Sequence, residues 1–162
     1  MNASNRYDSL FQYYAERAGL GWKFLKAQAQ TESSVSLDPN AESSVGALGV
    51  MQFMRATWQE WADGTPGVQE LPPHGDFDRR NPEASIRSGA ALMQWILQRP
   101  ITGGSLDRAL VAYNWGIGNL TRCIAQWDAA WISHLPDETA NYVARVRVRW
   151  NALLSEVQGE TV

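Results

Sequence analysis

The chain has 162 residues, enough for one domain with a core of its own. Apolar residues make up 44% and charged residues 19%, a balance that excludes wholesale disorder. A net charge of −3 leaves no general basic field of the kind that sequence-independent nucleic-acid binding needs.

Hydrophobic spacing predicts helices nearly throughout. Leu10, Phe11, Tyr14, Ala15 and Ala18 recur at three- and four-residue steps, and Gly19 and Gly21 close that segment. The residues before it carry no apolar run resembling an export signal, and no later stretch approaches the roughly 18 apolar residues of a membrane span. The expectation is a chain without stable membrane insertion. A second helix is predicted over residues 22–33. Residues 34–49 are punctuated by serines, Asp38-Pro39-Asn40 and glycines, as in a loop or short hairpin. Residues 50–62 read as helix again, with Met51, Met54, Trp58 and Trp61 along one stripe.

Residues 63–82 hold four of the seven prolines (Pro66, Pro72, Pro73 and Pro82) and predict a long loop. Asn81 and Pro82 then suit a helix start, followed by Ile86, Ala90, Leu92, Trp95 and Ile96, and Pro100 ends that helix. Ser105 opens a helix over residues 106–114, which Gly116 and Gly118 break, and another is expected over residues 120–127. The last begins near Pro136 with Tyr142, Val143, Val146, Trp150 and Leu153 on one side. The expected fold class is all-α, or α with a minor β-hairpin, as a single domain over residues 1–162.

The chemistry-bearing residues are few. Cys123 is the sole cysteine, so it forms no internal disulfide and reads as a small buried hydrophobe. His74 and His134 have no helical partners at ligand spacing, and neither a metal nor a cofactor is expected. Arg145, Arg147 and Arg149 form one local basic cluster, read mostly as solvated.

Glu32 closes the second helix. Ala29, Gln28 and Leu25 share its face, Lys23 projects the other way, and Lys26 lies about a third of a turn off. A carboxyl without a close cation on its own helix, at the negative end of the helix dipole and partly buried, has a raised pKa. Such a group stays protonated near neutrality, as a general acid must. From spacing alone, an exposed glutamate fraying at a helix end is the stronger reading.

The residues after Glu32 change that balance. Glu32-Ser33, Asp38-Pro39-Asn40-Ala41 and Ser43-Ser44-Val45-Gly46-Ala47-Leu48-Gly49-Val50-Met51-Gln52-Phe53-Met54 resemble the opening signature of the soluble lytic transglycosylase domain. Asn81-Pro82 with Ile86 and Gly89-Ala90, Ala112-Tyr113-Asn114-Trp115-Gly116, and Glu138-Thr139 with Tyr142-Val143 resemble its later segments, in the family's order. The resemblance covers residues 20–146. Two departures stand out. The step from Glu32-Ser33 to Asp38-Pro39 is two residues longer than the common pattern, and Trp115 replaces a small residue.

That resemblance implies a lysozyme-like fold and a peptidoglycan lytic transglycosylase. Glu32 would act first as acid and then as base, closing a 1,6-anhydro ring on N-acetylmuramic acid. Ser43, Gln52, Met54, Tyr113, Asn114, Trp115, Glu138 and Tyr142 would contact the glycan or Glu32. Several have a plainer reading beside that one. Ser43 suits a turn, Met51 and Met54 suit a core, Tyr113 and Asn114 suit a helix terminus, and Glu138 suits a helix first turn. Gly46 and Gly49 would let backbone approach a ligand closely.

The implied partner is the peptidoglycan glycan strand, bound by a monomer acting in the periplasm or cell wall. With no export signal visible, the expected routes are phage lysis, a virion, a secretion system or release as a mature fragment. Alternatives remain open: a hydrolytic muramidase drawing on Asp38, Glu42, Asp76 or Asp78, a non-catalytic peptidoglycan-binding module, and a Cys-His peptidase using Cys123.

Overall fold

The computed structural model describes residues 5–62 and 79–156, apart from the side chains of Trp61 and Ala62. It holds seven α-helices among the described residues: α1 Asp8–Arg17, α2 Trp22–Glu32, α3 Arg55–Ala62, α4 Pro82–Leu97, α5 Leu106–Trp115, α6 Ile117–Trp127 and α7 Asp137–Ser155. A 3-10 segment, Asp128–His134, joins α6 to α7. No strand occurs among the described residues. The expected hairpin reduces to two isolated antiparallel bridges, Glu42 with Leu48 and Leu48 with Phe53.

Helix α2 is central. Every residue from Phe24 to Gln30 is buried, because α1 covers one flank and α7 another. Small residues let neighbours approach, with Ala27 and Ala29 fully covered between Phe24, Leu25 and Gln28. Full burial of Phe24 and Leu25 contributes roughly 1.5–3 kcal/mol each. Lys26 is 1% exposed and survives there by pairing with Asp8 of α1 at 2.6 Å. Its charge is therefore turned away from Glu32, and Lys23 points at the carbonyl of Leu153 in α7.

Sequence signals at helix ends hold where side-chain caps form. Asn81 accepts from the Ala84 amide at 2.9 Å, and Ser105 accepts from the Arg108 amide at 3.4 Å. Two expectations need correction. The helix expected from residue 50 begins only at Arg55, since Gln52 adopts φ 51° and the bridge from Leu48 to Phe53 claims that stretch. Gly118 does not break a helix: the interruption is Gly116 alone, at φ 94°, and α6 starts at Ile117. Cys123 is buried on α6, its Sγ 3.5 Å from the Trp131 carbonyl, as a small core residue should be. The long proline-rich loop, with Pro66, Pro72, Pro73, His74, Asp76 and Asp78, lies outside the described residues.

Candidate active site

Glu32 is the last residue of α2, where α7 crosses it. Tyr142 of α7 donates its hydroxyl to Glu32 Oε1 at 2.6 Å, across 110 residues of sequence. Burial pushes the Glu32 carboxyl up to about 7, against partial relief from the Tyr142 hydrogen bond and the Arg145 guanidinium. The cation missing from its own helix thus arrives from α7. The Tyr142 phenol is itself held well above its ordinary pKa by burial, then by Glu32 and Tyr113. It therefore stays protonated and keeps donating.

Tyr113 of α5 approaches the same carboxyl, whose charge, after burial, raises the phenol's pKa. Its own hydroxyl goes elsewhere, to the Met51 carbonyl at 2.9 Å. The Met51 amide donates in turn to Ser85 Oγ of α4 at 3.0 Å. The Met51 peptide is thus held at both ends, and its side chain is fully buried, not part of a sugar subsite. Gly89 makes that possible, because a Cβ there would stand 2.6 Å from Met51 Cε.

The strap at residues 34–54 is built from backbone. Ser34, Leu37, Gly46, Gly49 and Gln52 all have positive φ. The two residues added after Glu32-Ser33 let the chain loop back and tuck Leu37 into the core, fully covered. Gln52 Nε2 donates to the carbonyls of Ala41 at 2.9 Å and Gly49 at 3.0 Å, so its amide nitrogen braces the loop. Ser43 Oγ accepts from the Ala47 amide at 3.0 Å, a turn role. Arg79 clamps the strap from outside, donating to the carbonyls of Gly46 at 2.9 Å and Phe53 at 2.8 Å. Gly49 is required by protein, not by a ligand: a Cβ there would fall 2.0 Å from the Arg79 carbonyl oxygen. Gly46 faces open space.

The structure therefore brings Glu32, Tyr113, Tyr142 and Arg145 together and assigns Ser43 and Gln52 to the strap beside them. Met54, Asn114 and Glu138 are exposed, and Trp115 is half-buried against the core. Among the rival carboxylates, Asp38 caps the Asn40 amide and Glu42 lies 3.8 Å from Arg80. Neither is among the charges acting on Glu32. His134 stacks on Trp127, ring centroids 3.6 Å apart, and leaves buried Cys123 without a histidine among the described residues. No group of three metal-ligating side chains occurs among the described residues. Sequence reading passed over Arg79 and Ser85, which act on the backbone of a loop distant in sequence that no local pattern announces.

Comparison with known proteins adds to this geometry. Residues 9–135 match the family model described as the transglycosylase SLT domain. The chain is 39% identical over 119 residues to the peptidoglycan transglycosylase gp16 of Escherichia phage T7, covering 74% of this chain and 8% of that protein. It is 33% identical over 123 residues to membrane-bound lytic murein transglycosylase F of Haemophilus influenzae, covering 74% of this chain and 22% of that one. In three dimensions it resembles the 70 kDa soluble lytic transglycosylase of Escherichia coli, with TM-score 0.75, 25% identity, and 96% of this chain against 25% of that chain. The Pseudomonas aeruginosa lytic transglycosylase Slt aligns with TM-score 0.73 at 24% identity, over 95% of this chain and 25% of the other. The chain thus spans a quarter or less of the relatives it matches.

Proposed function

Because the chain belongs to the transglycosylase SLT domain family, we propose that it cleaves the β-1,4 bond between N-acetylmuramic acid and N-acetylglucosamine in peptidoglycan, leaving a 1,6-anhydro end. The observation that carries this reading is the carboxyl of Glu32, raised to about 7 and held by Tyr142, with no second carboxylate acting on it among the described residues. Hydrolytic glycosidases ordinarily divide the work between two carboxylates. One suffices where the second nucleophile belongs to the substrate.

The sequence of proton movements follows. Tyr142 donates to Oε1, which leaves Oε2 to carry the acid proton. Near neutrality that proton is present in a large fraction of molecules, and Glu32 passes it to the glycosidic oxygen as the bond to C1 breaks. The resulting carboxylate accepts the proton of the muramic C6 hydroxyl, whose oxygen bonds to C1. Glu32 ends protonated, as it began, and no water is consumed. Tyr142 and Arg145 both favour the ionised form, so they stabilise the carboxylate between the two transfers. An intramolecular hydroxyl beats water through its high effective concentration.

Two of the relatives named above support the substrate, and the phage one supports delivery by a virion or during phage lysis. No helix among the described residues is long and apolar enough to cross a membrane. Mass spectrometry of digested sacculi, without borohydride reduction, tests the reaction. Anhydro ends, one water lighter than hydrolytic products, are the expected result. Predominantly reducing N-acetylmuramic acid ends would overturn it in favour of a muramidase.

A further inference from the structure

Gln28 sits one turn before Glu32 on α2 and is fully buried. Neither its Nε2 nor its Oε1 completes a hydrogen bond among the described residues. A buried amide in that condition costs stability, and Met or Leu would fill the same space without the cost. The other polar side chains buried on this helix have partners: Lys26 pairs with Asp8, and Gln30 donates to the Val35 carbonyl. Gln28 is the exception, and it lies against the Tyr142 phenol. Of the groups acting on that phenol, Gln28 alone lowers its pKa, against burial, Glu32 and Tyr113, which raise it. An amide acts in that direction by turning its N–H towards the phenol oxygen; its carbonyl oxygen would act the other way. Nε2 therefore points at Tyr142 but stops short of a formed hydrogen bond.

We propose that Gln28 is a positioning residue of the active site, whose Nε2 closes on the Tyr142 oxygen and forms a relay from Gln28 through Tyr142 to Glu32. The inference rests on Glu32 serving as acid and base, as proposed above. The Tyr142 hydroxyl has one proton, and it goes to Glu32 Oε1 at 2.6 Å. The phenol oxygen keeps lone pairs, and Gln28 offers a donor for one of them. Filling it polarises the phenol, so the O–H grips Oε1 more firmly. That grip matters most between the two proton transfers, when Glu32 is ionised. Gln28 thus favours the carboxylate without touching the sugar. No cation of α2 does the same work, since Lys23 reaches the Leu153 carbonyl and Lys26 the Asp8 carboxylate of α1. The groups that face Glu32 from other elements are Tyr142 and Arg145 of α7 and Tyr113 of α5. An amide kept at a cost in stability, one turn from the reacting carboxyl, fits a trade of stability for activity.

The test uses Gln28→Met and Gln28→Leu, which keep a side chain of similar size, together with Tyr142→Phe and the double variant Gln28→Met/Tyr142→Phe. Melting temperature should hold or rise in both single Gln28 variants, because the amide leaves the core. On soluble glycan strands, at pH values below the alkaline limb, kcat should nevertheless fall by about three- to tenfold with KM unchanged. That is the scale of one neutral hydrogen bond. The Glu32 carboxyl, followed by carbon-13 NMR without substrate and assigned through Glu32→Gln, should titrate at higher pH than in the parent, since a contact favouring its ionised form is lost. In the Tyr142→Phe background, Gln28→Met should change neither kcat nor the titration further, because Gln28 acts through the phenol. A Glu32 titration left in place by both Gln28 variants would overturn the relay, and so would shifts of equal size with and without the Tyr142 hydroxyl. Because the titration needs no turnover, it decides for or against Gln28 even if the products prove hydrolytic or cleavage is absent. Those outcomes would strike the proposed reaction and leave the relay standing.

Discussion

Helix α7 and the strap at residues 34–54, which follows Glu32 in the chain and is tied to Tyr113, are built by different means. From α7 come side-chain atoms: the Tyr142 hydroxyl at 2.6 Å and the Arg145 charge, carried on a regular helix. The strap contributes a backbone path through five positive φ values, held by Arg79, Gln52, Ser85 and Tyr113. Positive φ costs a non-glycine residue about 1–2 kcal/mol, so Ser34, Leu37 and Gln52 persist only because burial and hydrogen bonds offset it. Truncating a side chain should therefore damage chemistry on the helical side. Adding a single carbon should damage the fold on the other.

The largest effect is expected at the carboxyl itself. Glu32→Gln should lower cleavage of sacculi by about 10³-fold, the scale of a lost general acid, with an unchanged circular dichroism spectrum. Turbidity loss measures it, and activity within tenfold of the parent would remove Glu32 from its role. Next comes Gly49→Ala, which puts a Cβ 2.0 Å from the Arg79 carbonyl oxygen at φ 82°. It should destabilise the fold by roughly 3–5 kcal/mol, as a backbone clash does. Gly46→Ala, at φ 84° but facing open space, should cost only about 1 kcal/mol. Equal losses in chemical denaturation would show that backbone strain, not the close approach, governs the strap.

The same contrast explains what was legible in the sequence. Helices announce themselves through local spacing and caps, which is why α1, α2, α4 and α7 fall where apolar steps and Asn81 or Pro136 place them. Residues 50–54 defeated that reading. Met51, Met54 and Trp58 mimic a helical stripe, yet Met51 is buried in a non-helical turn gripped by Ser85 and Tyr113. Glu32 was singled out through the glycine-rich run that follows it, a local signal. Its hydrogen bond to Tyr142 was not, since the two residues meet only when α7 packs on α2, and Tyr113 looked an equal partner. The arginine cluster likewise showed no division of labour until Asp107 claimed Arg147.

Comparing the two tyrosines sharpens that point with a smaller effect. Tyr142→Phe removes a hydrogen bond to a charged group and should lower kcat/KM by roughly 10- to 100-fold. That bond favours ionised Glu32, so its loss raises the carboxyl pKa and shifts the alkaline limb of the pH profile upward. Tyr113→Phe removes a bond to the Met51 carbonyl instead. It should lower stability by about 1 kcal/mol and leave the alkaline limb in place. An alkaline shift in both variants, or in neither, would erase the distinction between carboxyl partner and strap anchor.

The smallest effect is one of stability, and its sign follows from linkage. In the fold Glu32 keeps its proton up to about 7, whereas in the unfolded chain it ionises near its ordinary value of 4.5. Below 4.5 both states hold the proton and the group contributes nothing to the pH dependence. Between 4.5 and 7 only the folded state binds it, so stability falls as pH rises through that window. Above 7 both states are ionised, and the folded protein carries the full cost of a carboxylate in a covered site. Glu32→Gln removes the titration and keeps the shape. Its melting temperature should therefore match the parent's near pH 4, draw ahead between 4.5 and 7, and hold a lead of a few degrees at pH 8. Other ionisable groups are common to both proteins and cancel in the difference. Tyr142→Phe should extend the same window upward, because it deletes a contact that favours the carboxylate. Parallel melting curves for Glu32→Gln and parent from pH 4 to 8 would mean that water reaches the carboxyl freely, and the acid would then need another source for its proton.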